Sequence, residues 1–340
     1  MSKHGLVKEA TMSEAFKLAS APRWLGTPGR LEIWYTTLTN PATGVGLWVH
    51  HETVAPTVAR AARPYGHGWV SLFPTDAPPV TGRFGPHPIK PSAVGAPWFD
   101  AAGCRAAPGH FTGSADGMTW DLRWVDRGEP LWTFPKAVWS RELLPGAQVL
   151  PAPTATFAGA VTVGEITYSF DGARGGVAHI YAHGNAERWG WVHADLGGGD
   201  VLELVSGVSR TPGMNRLPAL TFLRFRLDGN DWPAGLLPSI RAKTRLGLPD
   251  WSVEGRVGKR RVRIRISQPA DRCVALEYTD PDGAASVCTN TERADISVDL
   301  ERRAGSGWQI ERSWRLHGTG HAEVGLRRDD APPVNERRRR

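Results

Sequence analysis

From Val177 to Leu204 the chain reads VAHIYAHGNAERWGWVHADLGGGDVLEL, with the alternation of a β-hairpin. Trp189, Trp191, His193 and Asp195 fall at every second position. Successive side chains of a strand point to opposite faces, so these four share one. Gly197, Gly198, Gly199 and Asp200 form a turn, because glycine takes positive φ without steric cost. Val201 to Val205 is the return strand. One face of this hairpin is therefore aromatic and titratable. The stretch also carries His179, His183, Glu187 and Glu203. Amphipathic decoration explains any one of these residues, since Trp often has one buried and one wet end. A ligand pocket explains the set.

Working outward, Leu31 to Thr39, LEIWYTTLT, is rich in β-branched and aromatic residues. Asn40 to Gly44 turns the chain, and Val45 to Val54 is the partner strand. With that loop Thr39 opposes Val45, Trp34 opposes His50, Thr36 opposes Trp48 and Glu32 opposes Glu52. Directly opposed side chains share a face, and a loop of other parity breaks the pairing. Two facing carboxyls repel, which raises one pKa and suits a general acid. The alternative has one of them in solvent or beside an arginine.

The 340 residues suffice for two domains. Short strand-like runs recur throughout, and 39 Gly and 27 Pro supply many turns, so an all-β architecture is expected. Residues 11–20 suit a short helix capped by Ser13. Residues 144–159, with three prolines and no charge, read as a linker. That divides the chain into β domains at 25–150 and 160–326, with a disordered basic tail at 327–340. Arg261, Arg263 and Arg265 alternate with Val262, Ile264 and Ile266, as in a half-buried strand with a wet arginine face. Closing such sheets into barrels removes their edges and can enclose one ligand.

The net charge is +7, and Arg337 to Arg340 supply four of it. The basic character is thus largely a tail property, and no nucleic-acid module is expected. No apolar run reaches the roughly 18 residues of a membrane span, although the basic tail could touch an anionic membrane. The N-terminus lacks a signal-peptide core, and the three cysteines are widely spaced, so a reducing cytoplasm is expected. No P-loop, dinucleotide fingerprint or zinc-protease motif occurs. Neither cofactor nor metal is expected; His50 and His51, adjacent on a strand, point to opposite faces.

Two segments resemble a known group. Leu31-Glu-Ile-Trp-Tyr35 resembles the E-W-W-Y segment of the two-domain lipocalin-like superfamily of carotenoid 1,2-hydratases (hydroxyneurosporene synthases), AttH-type proteins and tocopherol cyclases. Trp189-Gly-Trp191 through Leu196, with the glycine turn and Asp200 to Leu204, resembles its W-x-W-x-x-x-x-L-x-D-G segment. The resemblance implies two lipocalin-like β-barrel or β-sandwich domains with a hydrophobic pocket near their junction. It implies hydration or cyclisation of isoprenoid- or polyketide-like chains through alkene protonation. That chemistry needs an acid in an apolar pocket and aromatic walls that steady a cation. Glu187, His183, Asp195, Glu52 and Glu32 are the candidate acids. Trp34, Trp48, Trp189 and Trp191 are candidate walls, with His50 and His193 beside them. The chain departs from the group before its W-x-W pair: an Asp-His or Asp-x-x-Trp cluster is usual there, and this sequence has His179 to Glu187. A carrier or sequestering protein for a lipid-like ligand would need a similar pocket. An interaction protein would use the same rings as plain core.

Overall fold

The computed structural model describes residues 13–126, 128–234, 242–327 and 331. Helix α1 (Glu14–Ser20) starts at Ser13, whose hydroxyl accepts from the Phe16 amide at 3.1 Å. Strands β1 (Arg30–Thr39), β2 (Gly46–Ala55), β3 (Tyr65–Phe73) and β4 (Val80–Pro88) form one meander. A second contains β5 (Phe99–Ala101), β6 (Cys104–Ala107), β7 (His110–Ala115), β8 (Met118–Val125) and β9 (Gly146–Val163). Helix α2 (Lys136–Arg141) begins directly after Pro135, a position where the missing N–H does no harm. After β10 (Ile166–Ser169), β11 (Ala173–Ala182) inserts between β1 and β9 and joins the meanders. The first sheet runs β4-β3-β2-β1-β11-β9-β8-β7-β6-β5, with β10 on β9.

The second sheet contains β12 (Arg188–Gly197), β13 (Asp200–Val208), β14 (Leu220–Leu227), β15 (Asn230–Trp232) and β16 (Lys243–Arg245). It continues with β17 (Asp250–Val257), β18 (Arg260–Ser267), β19 (Val274–Thr279), β20 (Ala285–Ala304) and β21 (Gly307–Arg327). Its order is β15-β14-β13-β12-β21-β20-β18-β17-β16, with β19 on β20. The all-β expectation holds: both sheets are antiparallel, and one nearly closes into a barrel. In the first sheet Gly82 of β4 packs so near β7 that a Cβ would lie 2.6 Å from the Ala115 carbonyl oxygen.

Period-two patterning builds each interior. Along β8, Met118, Trp120, Leu122 and Trp124 are buried, and the residues between them are exposed. The second interior takes Val192, Leu204, Val262 and Ile264, and leaves Arg265 of β18 exposed on the other face. Strands β1 and β2 differ, being buried along nearly their whole length. One face lines the first barrel with Trp34, Leu38 and Val49. The other packs Ile33, Tyr35 and Trp48 against Trp191, Leu276 and Tyr278 of the second sheet.

Two sequence expectations need correction. Residues 146–159 of the expected linker belong to strand β9, hydrogen-bonded to β11 and, from Thr156 on, to β8. Its β11 register shifts where Pro151 and Pro153 fall, so the missing N–H groups sit at bulges. The chain leaves the first sheet at Ala182 and enters the second at Arg188, which places β9, β10 and β11 with the residues before 150. The β1–β2 loop is 40–45, one residue longer than expected, since Thr39 pairs with Gly46. Trp34 therefore opposes His51, Tyr35 opposes His50, and Ile33 opposes Glu52. A one-residue slip exchanges faces, so Glu32 and Glu52 lie on opposite sides of the sheet. The expected tail lies outside the described residues, apart from Arg327 and Ala331.

Close backbone approach explains Gly175 of β11. A Cβ there would lie 1.9 Å from the Thr37 carbonyl oxygen. Gly175→Ala is expected to destabilise the fold by about 3 kcal/mol in urea unfolding, because β1 and β11 must separate to admit it.

Candidate functional site

The layer between the sheets holds the chemistry. Glu52 of β2 is fully buried there, with Trp48 and His50 at alternate positions on the same strand. On β3, Trp69 pairs with His50 and His67 pairs with Glu52. Across the layer Tyr278 stands edge-on to His50 at 5.5 Å and lies 4.8 Å from Trp69. Glu52 Oε2 lies 3.3 Å from His50 Nε2 and 3.5 Å from His67 Nε2, while Oε1 has no hydrogen-bond partner among the described residues.

Burial pushes Glu52 up to about 7; Asp280 adds to the rise, and His67 and Arg83 oppose it. Burial also holds His50 down to about 3 and His67 to about 4. Near neutral pH the proton of this trio therefore belongs to Glu52, and both imidazoles are neutral. The result is a carboxylic acid walled by Trp48, Trp69 and Tyr278.

A second polar group lies farther along the layer. His193 of β12 pairs with Glu203 of β13 on one side and His321 of β21 on the other. Glu203 Oε1 accepts from Trp191 Nε1 at 2.6 Å and from the Gln148 side-chain amide, and Oε2 lies 3.0 Å from His193 Nδ1. His321 stacks on His193 at 5.7 Å, and its Nε2 lies 2.8 Å from the Thr39 hydroxyl. The Thr37 hydroxyl donates to Glu292 Oε2. Burial raises both acids, Glu292 strongly, and lowers His321 well below the usual imidazole range. Among the described residues Glu292 Oε1 and His193 Nε2 have no hydrogen-bond partner. The buried Asn290 amide sits close enough to Glu292 and Glu323 to counter their rise a little, yet neither of its polar atoms completes a well-formed hydrogen bond.

Of the sequence-derived candidates, the layer gathers Glu52, Trp48, His50, Trp189, Trp191 and His193. The Trp189 indole donates to Glu323 Oε1 at 2.8 Å. Glu32 and Trp34 lie on the other face of β1. There Glu32 accepts from the Arg23 and Trp24 amides and contacts His179 Nε2 at 2.8 Å. His179 Nδ1 donates to the Ala19 carbonyl, and its ring stacks 3.5 Å from Trp34. Glu32 thus clamps the segment after α1 onto the sheet.

Three candidates lie at the margin. His183 is exposed beside Arg30, and burial followed by that guanidinium lowers its pKa. Glu187 pairs with Arg327 at 3.5 Å. Asp195 shares the Trp191 face but sits at the end of β12, paired with Arg174 at 3.3 Å. His51 points into the first barrel against Phe99 and Phe111.

Glu203, noted in the motif hairpin, is not among the candidate acids read from the sequence, and His67, Tyr278, Asn290, Glu292 and His321 are not singled out there at all. Two had local signals. The glycine turn pairs His193 with Glu203, and His67 stands two residues before Trp69, the spacing of one strand face. The others meet the site only through long-range pairing.

A surface cleft of about 550 Å³ lies beside Arg63, Ile89, Lys90 and Pro97, and a smaller one beside Arg245 and Arg265. Neither is lined by residues of the acid layer, whose rings pack against one another.

A family model described as tocopherol cyclase-like matches residues 28–326. The chain belongs to the tocopherol cyclase-like family. The motif resemblance read from two hairpins thus extends over nearly the whole chain. It is 57% identical over 327 residues to the uncharacterized protein Rv0493c of Mycobacterium tuberculosis strain H37Rv, covering 96% of this chain and 95% of that one. Among solved structures it is similar to CghA with Sch210972, at TM-score 0.58, 15% identity and 88% coverage of each chain. Kievitone hydratase from Nectria haematococca is also similar, at TM-score 0.51 and 11% identity, over 87% of this chain and 89% of that one. At these identities the structural likeness is one of fold. No helix among the described residues is long and apolar enough to cross a membrane.

Proposed function

We propose that this family member is a hydratase- or cyclase-type enzyme with Glu52 as its general acid. Its substrate is a hydrophobic isoprenoid- or polyketide-like molecule held between the two sheets. One observation carries the reading: Glu52 is fully buried among Trp48, Trp69 and Tyr278, is raised to about 7, and has an unpartnered oxygen. An acid with a pKa near working pH is well matched to proton transfer. Glu52 gives its proton to one alkene carbon, whose π electrons form the new C–H bond and leave a cation on the neighbouring carbon. The indole faces of Trp48 and Trp69 steady that cation. Water or a hydroxyl of the substrate adds to it, and the proton then shed returns to Glu52.

The unpartnered atoms of Asn290 and Glu292 give the layer a second polar pole. On β2, Glu52 and Trp48 are four residues apart, about 13 Å along a strand. Trp48 pairs with Thr37, which bonds Glu292. A substrate with an alkene at one end and an oxygen function roughly that far away fits both poles. Binding it requires the rings that fill the layer to move aside.

Native mass spectrometry of freshly purified protein is expected to find a bound apolar molecule. With that compound, Glu52→Gln is expected to keep binding and lose at least about 100-fold in turnover. Turnover by the Gln variant at the parent rate would overturn the assignment. Binding without turnover by the parent protein would favour the carrier reading.

A further inference from the structure

The arginine row of β18 has no part in the acid layer. In β16, β17, β18, β20 and β21, one face carries Val253, Ile264 and Val298 into the second interior. The opposite face carries more cations than acids. The register lines up Arg245, Ser252, Arg265, Ser297 and Arg315 in one row across the five strands, with no acid among them. The next row places Lys243 and Arg263 beside Glu254 and Asp299. The one after holds Arg256, Arg261, Glu301 and Ile310, and the hairpin tip adds Arg303 and Trp308.

These rows and the tip hold eight cations and three carboxylates, and the adjoining row adds Asp250 and Asp295. Three of the five acids are already paired: Glu301 with Arg261 and Arg263, Asp299 with Arg315, and Asp295 with Arg272. Arg245, Arg265 and Arg303 are exposed. At about 4.8 Å between strands, the five strands spread this charge over roughly 20 Å. At one edge Ile310 is 60% exposed, next to the half-buried Trp308.

We propose that this outer face docks on an anionic lipid surface. The charge complements acidic headgroups, and the breadth of the face suits a plane better than a cleft ligand. The exposed Ile310 beside an indole matches the aromatic and aliphatic anchors of membrane interfaces. Nucleic acid fits less well. Guanidiniums of Arg256, Arg261 and Arg303 already lie 4.7–5.7 Å from the Trp308 ring, which leaves it poorly placed for stacking on a base. Docking here is independent of whether Glu52 is the acid.

The test is co-sedimentation of the full chain with phosphatidylcholine vesicles, with and without one-third phosphatidylglycerol. Binding is expected only to the anionic vesicles, and only at low salt. The triple variant Arg245→Ser, Arg265→Ser, Arg303→Ser is expected to bind at least about tenfold more weakly. Its thermal unfolding should match the parent, because the three side chains are exposed. A chain ending at Asn335, without the terminal arginines, is expected to retain binding. Equal binding to neutral vesicles overturns the proposal. So does a triple variant that binds like the parent, loss of all binding with the terminal arginines alone, or tighter binding to duplex DNA than to vesicles.

Discussion

Replacing Glu52 by glutamine is expected to make the protein about 3 kcal/mol more stable at pH 8 and to leave its stability nearly unchanged at pH 4. The carboxyl ionises near 4.5 in the unfolded chain and near 7 in the fold, because burial penalises the charge. Below about pH 4.5 both states hold the proton, and its contribution to stability is fully present. Between about 4.5 and 7 the unfolded chain gains from ionisation and the native state does not, so that contribution is lost by the time the pH has risen through 7. Glutamine has the same shape and no such loss. Urea unfolding of both proteins at pH 4, 6 and 8 measures the difference. An equal gap at every pH would mean that Glu52 is not held protonated, and the proposed acid would fail with it. A variant more stable yet unable to turn over substrate is the expected signature of an acid kept neutral for chemistry.

The second large effect is at Glu203. Glu203→Ala is expected to cost about 4 kcal/mol or more, a large fraction of the 5–15 kcal/mol that holds a typical domain. Three buried groups lose their shared acceptor: the Trp191 indole N–H, the Gln148 amide and the His193 ring. The truncation also leaves a cavity behind. Glu203→Gln is expected to cost only about 1 kcal/mol. Its carbonyl oxygen can serve Trp191 and Gln148, and its amide can donate to His193 Nδ1 in the tautomer that leaves that atom an acceptor. Thermal or urea unfolding of the two variants separates the cases. Equal losses would show that the hydrogen bonds contribute little and that only the filled volume matters.

These two acids also show what a sequence can convey. Glu203 is tied to His193 by a short hairpin, and the glycines at 197–199 fix that pairing locally. The shared face of Trp189, Trp191 and His193 follows from strand geometry alone. The β1–β2 hairpin was equally plain, but its register depended on one residue of loop length, which no pattern in a strand buried on both faces could reveal. The Glu32–Glu52 pair fell for that reason. Pro151 and Pro153 gave β9 the look of a linker, because only its register with β11 provides bulges to hold them.

The sequence by itself determined an antiparallel all-β protein whose motif hairpins set Trp, His and Glu at alternate positions, since strand periodicity and glycine turns act over a few residues. Tertiary structure alone decided that two such faces meet each other instead of solvent. It also brought Glu292 and His321 beside His193 through the pairing of β20, β21 and β12. Pairing and burial are long-range, and burial is what holds the proton on Glu52 and keeps His50 and His67 neutral.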